Sequence, residues 1–564
     1  MIKKLEKFLH YEKNIFYFCF SLFLVLFVNY ISSKWWIEFI SIDPWMYWGT
    51  SQNFDYFLAH FPDTYYFRRW TLIYPFIISQ WILSPGISYF FIANLSLFFT
   101  SFFFLKISFK ISKENLTGIF LIILIILSSS QNILSKISSP HVTFFSIPLF
   151  LLIFYNSYNM CTENKFSNLN IILIFSLIGI LNITFQGYIF FSTIFYFIIL
   201  LFYKKNNLNF KKLHLNIFFC VLAVTVIDFL IGKLSGANWK NLITYSLSVY
   251  LDLSKHQIWG ERFAFENYSL DKFIGIGLVL NTILFIFLKK KNETQDNQDI
   301  FFRYFSILIF ILFYLQQFVS YNPYSWWGHG FIIIHLSLFF IIIYLFKTQT
   351  LINKIIFFIS FSIFLFFNNN FKSEDIQIVE VVIFFILLFL IFKKNITNNF
   401  KYVIPLIILI TIFINMNKFL DKTLIKKPSN NGILIDVNFK NNKEYIKQIN
   451  IISDQVKEVS KYNSNFRVWI LDNRDKSKNH QKVPLLASLY WQYSMFNNYD
   501  GLDICKQIDW MVLFKNSIIL AIGFANQELA IDKIKEMTKE CNEIIIKNHN
   551  AKYNIGHAFS LNYK

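Results

Sequence analysis

Charged residues are scarce in this sequence. Only 15% of its 564 residues are Asp, Glu, Lys or Arg, whereas 55% are apolar and 72 are phenylalanine. A soluble fold of this composition would lack the polar surface needed to cover its apolar residues. The scarcity of charge therefore argues against a soluble globular protein and indicates that lipid is the main solvent of the chain.

Cysteine is also scarce, with five residues and no CxxC motif. This spacing argues against a cluster of cysteine ligands around a metal. Cys505 and Cys541 lie in the C-terminal segment, where their separation is compatible with either a disulfide or two free thiols. The same segment has no phosphate-cradling glycine loop and no metal-spaced His/Cys cluster, so no chemistry is assigned to it.

Apolar stretches long enough to cross a hydrocarbon core of about 30 Å recur up to residue 417. The first follows a lysine-rich start and resembles a signal anchor, but it lacks a small-residue cleavage site, so we expect it to be retained. The stretches predict thirteen transmembrane helices, at 15–31, 86–105, 116–134, 141–158, 168–183, 186–203, 214–233, 272–288, 301–319, 330–346, 354–368, 376–392 and 402–417.

The net charge of +19 is unevenly distributed. Residues 1–429 hold 35 Lys and Arg against 20 Asp and Glu, and residues 430–564 hold 18 against 14. An excess concentrated between apolar spans is the positive-inside pattern of a multi-pass protein and argues against a nucleic-acid partner. With a cytoplasmic N-terminus, the basic clusters fall in alternate, cytoplasmic gaps: Lys106, Lys110, Lys113, Lys204, Lys205, Lys211, Lys212, Lys289, Lys290, Lys291, Lys347, Lys354, Lys393, Lys394 and Lys401.

An odd number of crossings places the chain after the last span outside the cytoplasm. We therefore predict a polytopic α-helical membrane domain over 1–420 and a soluble extracytoplasmic α/β domain over 421–564, separated by a polar hinge at 428–431. In that domain the pattern predicts strands at 433–439, 467–471, 510–514 and 518–522, and helices at 443–462, 483–496 and 526–541.

Two outer loops, 32–85 and 234–271, are too long to be simple turns, and long ordered loops tend to be functional. The first contains Asp43 among aromatic residues, followed by the pair Arg68 and Arg69. In one interpretation Asp43 is a general base or a ligand of a divalent cation. In the other it caps a short interfacial helix, which tryptophans anchor in the headgroup layer.

This plan of a first span, a long first loop with an early acid, many spans and an outer C-terminal domain resembles the GT-C glycosyltransferases. That superfamily includes protein mannosyltransferases, aminoarabinose transferases and oligosaccharyltransferases, and thirteen spans with a terminal domain are most similar to the last. The resemblance implies transfer of a sugar from a polyprenyl-phosphate or pyrophosphate donor to a lipid, glycan or protein acceptor. Asp43 is the position that matches the catalytic acid.

The chain also departs from the family pattern. Asp43 is followed by Pro44 where many relatives have Asp-Glu. The loop at 138–141 reads Ser-Ser-Pro-His and lacks the second acid of oligosaccharyltransferases, and the Trp-Trp-Gly at 326–328 lacks the acid of their acceptor motif. Sequon glycosylation and a metal site therefore stay open. The cofactor expected is either none or a divalent cation such as Mg²⁺ or Mn²⁺.

A lipid-phosphate donor needs cations near the membrane surface. The candidates in the outer loops are Arg68, Arg69, Lys240, Lys255 and Arg262, for which headgroup contact by snorkelling is the alternative. Glu261 and Glu266 are candidates for a second carboxylate or for pairing with Arg262. A sugar or acceptor pocket, or a simple aromatic belt, is predicted from Tyr47, Trp48, Tyr324, Trp327 and His329.

Polar residues within predicted spans are candidates too, because they are costly in lipid. Asp228 lies in the seventh span, with Lys233 five positions later. Asn94 and His335 are expected to form interhelical hydrogen bonds rather than to bind ligands.

Three other classes stay in consideration. A secondary transporter predicts paired inverted repeats, which the sequence does not show. A lipid-linked polysaccharide polymerase or ligase also uses basic outer loops, and a noncatalytic scaffold is compatible with the same architecture. Abundant Phe, Ile, Lys and Asn are typical of an AT-rich bacterial genome, so the expected location is a bacterial inner membrane, in contact with its lipids.

Overall fold

The computed structural model describes residues 14–31, 47, 48, 50–52, 54, 69–113, 142–184, 189–234 and 296–319. It also describes eight helical positions between 333 and 347, Ile446, Asn450, and the segments 467–472, 495–497, 516–522, 524–537, 544–553 and 556–563. The predicted spans at 116–134, 272–288, 354–368, 376–392 and 402–417 lie outside these residues, as do Cys505 and Cys541.

The described part of the chain before residue 320 is helical. Its helices are α1 Asn14–Ile31, α2 Trp70–Gln80, α3 Pro85–Ser112, α4 Val142–Thr162, α5 Asn168–Thr184, α6 Ile189–Lys205, α7 Phe210–Leu234 and α8 Asn297–Val319. All of these helices except α2 overlap predicted spans. By length and composition, α3 and α7 are able to cross a membrane, whereas α1 and α5 are shorter apolar helices.

Helix α2 corrects the prediction that 32–85 is a loop. Most of its eleven residues are apolar, but they are too few to span a bilayer and include Pro75, so the stretch does not resemble a span. The helix forms where it packs antiparallel on α3, with the rings of Phe76 and Tyr89 stacked at 6.2 Å. Tertiary packing accordingly stabilises a helix that the local sequence does not predict.

Two tight hairpins join α4 to α5 and α6 to α7, and an asparagine terminates the first helix of each. Asn164 has φ 54° and Asn207 has φ 52°, the left-handed conformation that asparagine tolerates better than most residues. The next amide in each turn bonds back to the helix, from Lys165 to the Met160 carbonyl and from Leu208 to the Tyr203 carbonyl, both at 3.0 Å. These bonds close the turn between each helix and the one that follows.

Phenylalanine rings fill the space between the helices. Helix α3 packs on α1, α2 and α4, helix α5 on α4 and α7, and helix α8 on α4 and α6. Phe154 of α4 is completely buried, and its ring contacts those of Tyr158, Phe195, Phe301, Phe305 and Phe340. Edge-to-face and offset ring pairs contribute about 0.5–1.5 kcal/mol each beyond the burial of area.

One end of this bundle, the basic end, collects residues from several gaps that are predicted to be cytoplasmic. Lys110 Nζ lies 3.1 Å from Glu163 Oε1, and Lys205 Nζ donates to Asn297 Oδ1 at 2.6 Å. Lys347 Nζ donates to a backbone carbonyl in the last turn of α3 at 2.9 Å. Residues far apart in sequence, but assigned to the same side of a membrane, therefore meet at one end of the bundle.

Glu163 lies between two lysines at this end. The hydrogen bond from Lys165 is the main cause that lowers the pKa of the Glu163 carboxyl; burial opposes it, and Lys110 lowers the pKa further. A lowered pKa means that the folded state favours the ionised carboxylate. Its contribution to stability is therefore present above the unfolded pKa and is lost as the pH falls through the folded value.

A buried ion pair lies near the basic end. Asp299 and Arg303 of α8 are 4% and 9% exposed, and Arg303 Nε donates to Asp299 Oδ2 at 2.9 Å. The hydroxyl of Tyr344 donates to the other carboxylate oxygen, and its ring stacks on Phe302 at 4.4 Å between centroids. The pair thus links α8 to the helical positions between 333 and 347.

The C-terminal segment contains a mixed sheet of β1 Arg467–Asp472, β2 Met495–Asn497, β3 Asn516–Ile522, β4 Ile544–Tyr553 and β5 Gly556–Tyr563, with α9 Gln527–Met537 after β3. The strand order is β2-β1-β3-β5-β4. Strand β1 runs parallel to β2 and β3, and β5 runs antiparallel to β3 and β4. Pairing is irregular between Asn548 and Lys552 of β4.

Several predicted elements coincide with this sheet, and others do not. Strand β1, strand β3 and helix α9 overlap the predictions at 467–471, 518–522 and 526–541. The predicted helix at 483–496 is wrong at its end, because Met495 and Phe496 pair with β1 as a strand. Strands β4 and β5 were not predicted. A polar run at 547–550 breaks the alternation of β4, which is a strand because it pairs with β5.

Helices α5 and α7 meet at Gly179. A Cβ at this position would lie 2.9 Å from Val224 Cγ1 and 3.0 Å from Cγ2. We expect Gly179→Ala to force the two helices apart and to cost about 1–3 kcal/mol. In a Val224→Ala background both Cγ atoms are gone and only the Cβ remains, 3.1 Å away, so the same change should cost less. Thermal unfolding in detergent compares the two backgrounds, and an equal loss in both would contradict this packing.

The buried pair on α8 generates a second prediction. Replacing Asp299 with Ala leaves the Arg303 guanidinium buried without its carboxylate, which should cost about 3–5 kcal/mol. The Asp299→Ala/Arg303→Met double variant should recover much of this loss. Lys110→Ala is the matched control, because its more exposed ion pair contributes less than about 1 kcal/mol. Equal melting temperatures for Asp299→Ala and Lys110→Ala would contradict the expectation.

Candidate functional site

The opposite end of the bundle contains a cluster of polar and aromatic residues that we term the aromatic–acid site: Tyr47, Arg69, Trp70, Thr71 and Asp228. Helices α5 and α7 both run away from the basic end, and their far portions meet the first residues of α2. The site therefore joins the end of the first long loop to two helices that are distant in sequence.

Asp228 is the acid of this site. It lies on α7, is 5% exposed, and accepts a hydrogen bond at 2.9 Å from the indole Nε1 of Trp70. Lys233 is exposed, and a separation of five residues turns it about 140° around the helix from Asp228. A hydrogen bond to a charged group contributes about 1.5–3 kcal/mol, which helps to keep a carboxylate in an otherwise apolar helix.

Thr71 supplies a second link beside the first. Its hydroxyl lies 2.9 Å from that of Thr184, the last residue of α5. The Thr184 hydroxyl also bonds to the Ile180 carbonyl in its own helix. Because α5 and α7 pack closely at Gly179, adjacent residues of α2 are tied to a single helix pair.

Arg69 immediately precedes these two residues. Its carbonyl accepts the amide of Leu72 at 2.9 Å, so it forms the N-terminal cap of α2, while its side chain makes no capping bond. The guanidinium carbon lies 5.6 Å from the centre of the Tyr47 ring. A cation over an aromatic face is attracted by about 0.5–2 kcal/mol, and this contact orients the half-buried side chain.

Tyr47 and Trp48 are completely buried. Tyr47 packs with Leu72 and Ile73 of α2 in one apolar cluster. Trp48 offers its carbonyl to Ser51 Oγ at 2.6 Å. The predicted pocket residues of the first loop are therefore part of a packed core, and Tyr47 connects the early and late parts of the stretch 32–85.

Three predicted site residues, Tyr47, Trp48 and Arg69, are described by the structure, and two of them are in contact. The others lie outside the described residues: Asp43, Arg68, Lys240, Lys255, Glu261, Arg262, Glu266, Tyr324, Trp327 and His329. Within the described part of the chain, no group of three or more His, Cys, Asp or Glu side chains is arranged to hold a metal ion. Asp228 supplies the one carboxylate among the five residues of the aromatic–acid site.

Asp228 is a candidate from the sequence alone, whereas Trp70 has no predicted role. A tryptophan beside paired arginines and a lone acid in an apolar span were the available signals. Their pairing spans 158 positions and cannot be read from either local sequence. The prediction for Asn94 is confirmed, because its Oδ1 accepts an interhelical hydrogen bond from Asn29 at 2.6 Å.

Comparison of the sequence with protein families and with curated proteins finds no match.

The C-terminal segment contacts the same α2–α3 hairpin. Asn450 Oδ1 accepts the backbone amide of Gly86 at 2.8 Å, and Asn450 Nδ2 lies 3.4 Å from Ser84 Oγ. Ser84 makes no capping bond of its own, so the α3 N-terminus is capped by a residue 364 positions away. A Cβ on Gly86 would lie 2.5 Å from the Ile446 carbonyl oxygen, so only glycine admits this approach.

Loss of this remote cap should be measurable at the first turn of α3. Asn450→Ala removes the acceptor of the Gly86 amide, and loss of a cap costs about 1 kcal/mol. We expect hydrogen exchange of that turn to accelerate about fivefold. Asn526→Ala is the matched control, because Asn526 caps α9 through the Leu529 amide. Unchanged exchange in Asn450→Ala would contradict the cap.

Proposed function

We propose that this chain is a multi-pass membrane glycosyltransferase of the GT-C type. In this proposal it has thirteen spans, a cytoplasmic N-terminus and an extracytoplasmic α/β domain, and it lies in a bacterial inner membrane. It moves a sugar from a polyprenyl-phosphate or pyrophosphate donor to a lipid, glycan or protein acceptor at the outer face. One observation supports it best: Arg69, Tyr47 and buried Asp228 belong to one site at the end of the bundle opposite the basic end.

The alternation of the two bundle ends supports the orientation. Predicted cytoplasmic gaps meet at the basic end, whereas residues from the first loop, from the end of α5 and from the C-terminal segment meet at the other. Since lysines concentrate on the cytoplasmic side of multi-pass proteins, the basic end is assigned to the cytoplasm.

The length of α7 gives the depth of the site. Lys212 and Lys233 are separated by about 31 Å along the helix, close to the thickness of a hydrocarbon core of about 30 Å. Asp228 is then about 24 Å from Lys212 and about 8 Å below Lys233. In the proposed orientation, the aromatic–acid site would lie in the outer leaflet, within reach of a phosphate at headgroup depth.

Arg69 is assigned to the donor phosphate. Its guanidinium presents N–H donors in a forked arrangement that suits phosphate oxygens. The same guanidinium packs over the ring of Tyr47. Arg68, Lys240, Lys255 and Arg262 are further cations proposed for the same phosphate, by their loop positions. Neutralising the phosphate makes it a better leaving group, so electrostatic stabilisation would supply much of the rate.

Asp43 is the proposed base. Tyr47 lies four positions after Asp43, and four extended residues span at most about 14 Å, so the first loop can bring Asp43 to the donor. Asp43 would take the proton of the acceptor hydroxyl or amide as the acceptor bonds to the sugar carbon. The bond from that carbon to phosphate breaks, and its electron pair stays on the phosphate oxygen. Glu261 or Glu266 would supply a second carboxylate to the site. In an alternative scheme, Asp43 binds a divalent cation instead of taking the proton.

Radiolabelled polyprenyl-phosphate sugar tests the proposal with purified protein and a membrane extract as the source of acceptors. Asp43→Asn should reduce transfer about 10²–10⁴-fold, the usual contribution of a general base, while donor binding is kept. Asp63→Asn, in the same loop, is the matched control and should retain activity.

Three results would contradict this scheme. Equal transfer by wild type and Asp43→Asn would remove Asp43 from the reaction. Chain elongation of a lipid-linked glycan would favour a polysaccharide polymerase or ligase. Absence of donor binding, combined with solute flux in vesicles, would favour a transporter.

A further inference from the structure

Asp228 is a single carboxylate in a helix of 25 residues whose remaining sequence holds no other acid. Ionisable groups within a span are costly, and they are commonly retained for a functional reason. One hydrogen bond to this carboxylate comes from Trp70, which belongs to the predicted outer loop rather than to a neighbouring span. Asp228 therefore acts on the loop from within the bundle.

Trp70 and Thr71 make links to different helices. The indole N–H reaches α7 at Asp228, and the Thr71 hydroxyl reaches α5 at Thr184. Two adjacent residues bound at different points define both the position and the rotation of the first turn of α2. Arg69 is joined to them by one planar peptide bond, so its Cα has little freedom to move.

The side chain of Arg69 is oriented by a third contact. Its guanidinium lies over the Tyr47 ring, and Tyr47 is itself completely buried against α2. A cation held in advance loses less conformational entropy on binding an anion than a free surface arginine does. The three contacts together make Arg69 a preorganised anion contact.

We propose that Asp228 and Trp70 are positioning residues for Arg69, and that the anion is the phosphate of a polyprenyl-phosphate lipid. This inference rests on the proposed function. In this proposal, the role of Asp228 is to accept the hydrogen bond from the Trp70 indole N–H. It takes no proton from the reacting groups. Its amide analogue therefore substitutes for it, whereas an apolar side chain does not.

Binding of sugar-free polyprenyl phosphate to the full chain in neutral-lipid nanodiscs tests this inference. Trp70→Phe, Asp228→Leu and Arg69→Gln should each weaken binding about 5–30-fold. Asp228→Asn should stay within about threefold of wild type in both binding and sugar transfer. Asn94→Leu is the matched control: it removes another interhelical hydrogen bond near this end but is not linked to Arg69, so binding should be unchanged.

A double-variant cycle separates positioning from a general loss of structure. In an Arg69→Gln background, Trp70→Phe should weaken binding no further, because the residue that it positions is gone. An undiminished effect of Trp70→Phe in that background would overturn the proposal. Loss of transfer in Asp228→Asn with binding intact would also overturn it, since the carboxylate would then take part in the reaction.

Failure of the proposed function gives a different result. If the wild-type protein does not bind polyprenyl phosphate, both the proposed donor and this inference are wrong. Wild-type binding that is insensitive to Trp70→Phe and Asp228→Leu would remove the inference alone.

Discussion

The hydrogen bond from the Trp70 indole to the Asp228 carboxylate determines where the first long loop rejoins the helical bundle. In an apolar environment a buried polar group must find its partner within the protein, because neither lipid nor a phenylalanine side chain can supply one. Asn29 with Asn94 and Thr71 with Thr184 meet the same requirement near the same end. Each of these bonds joins two helices, and together they define the register in which the helices stand.

Aromatic side chains fill most of the bundle interior, but they do not define the register between the helices. Phenylalanine rings such as Phe154 contact several neighbours in edge-to-face and stacked arrangements, and these contacts tolerate small shifts. Close approach at Gly179, where Val224 occupies the space of an absent side chain, is more restrictive. The helix pair α5–α7 that carries Thr184 and Asp228 is consequently a firm support for the site.

The proposed chemistry uses this division of the bundle. The basic end, which we propose to face the cytoplasm, holds lysines whose partners are carboxylates, amides and carbonyls. The other end gathers the two parts of the first loop around Tyr47 and Arg69, and the cap from Asn450 brings the C-terminal segment to the α2–α3 hairpin. A donor phosphate near Arg69 would thus meet a cation already held in place.

Local composition was sufficient to place several helices. The sequence predicted α1 and α5 to within one residue at each end, because the length of an apolar stretch is a local property. It also grouped the lysines that meet at the basic end, since charge alternation between spans follows from chain order. Asp228 was recognised as unusual for the same local reason, and Asn94 was correctly expected to bond across helices.

Only the tertiary structure decided the partners. Helix α2 was missed because it has only eleven residues and contains Pro75. Part of strand β2 was predicted to be helical, because its pairing with β1 is not local in sequence. The bonds of Trp70 to Asp228 and of Gly86 to Asn450 cross 158 and 364 positions. Such contacts depend on distances that exist only after the backbone has folded, whereas the length of an apolar stretch and the placement of charge can be read along the chain.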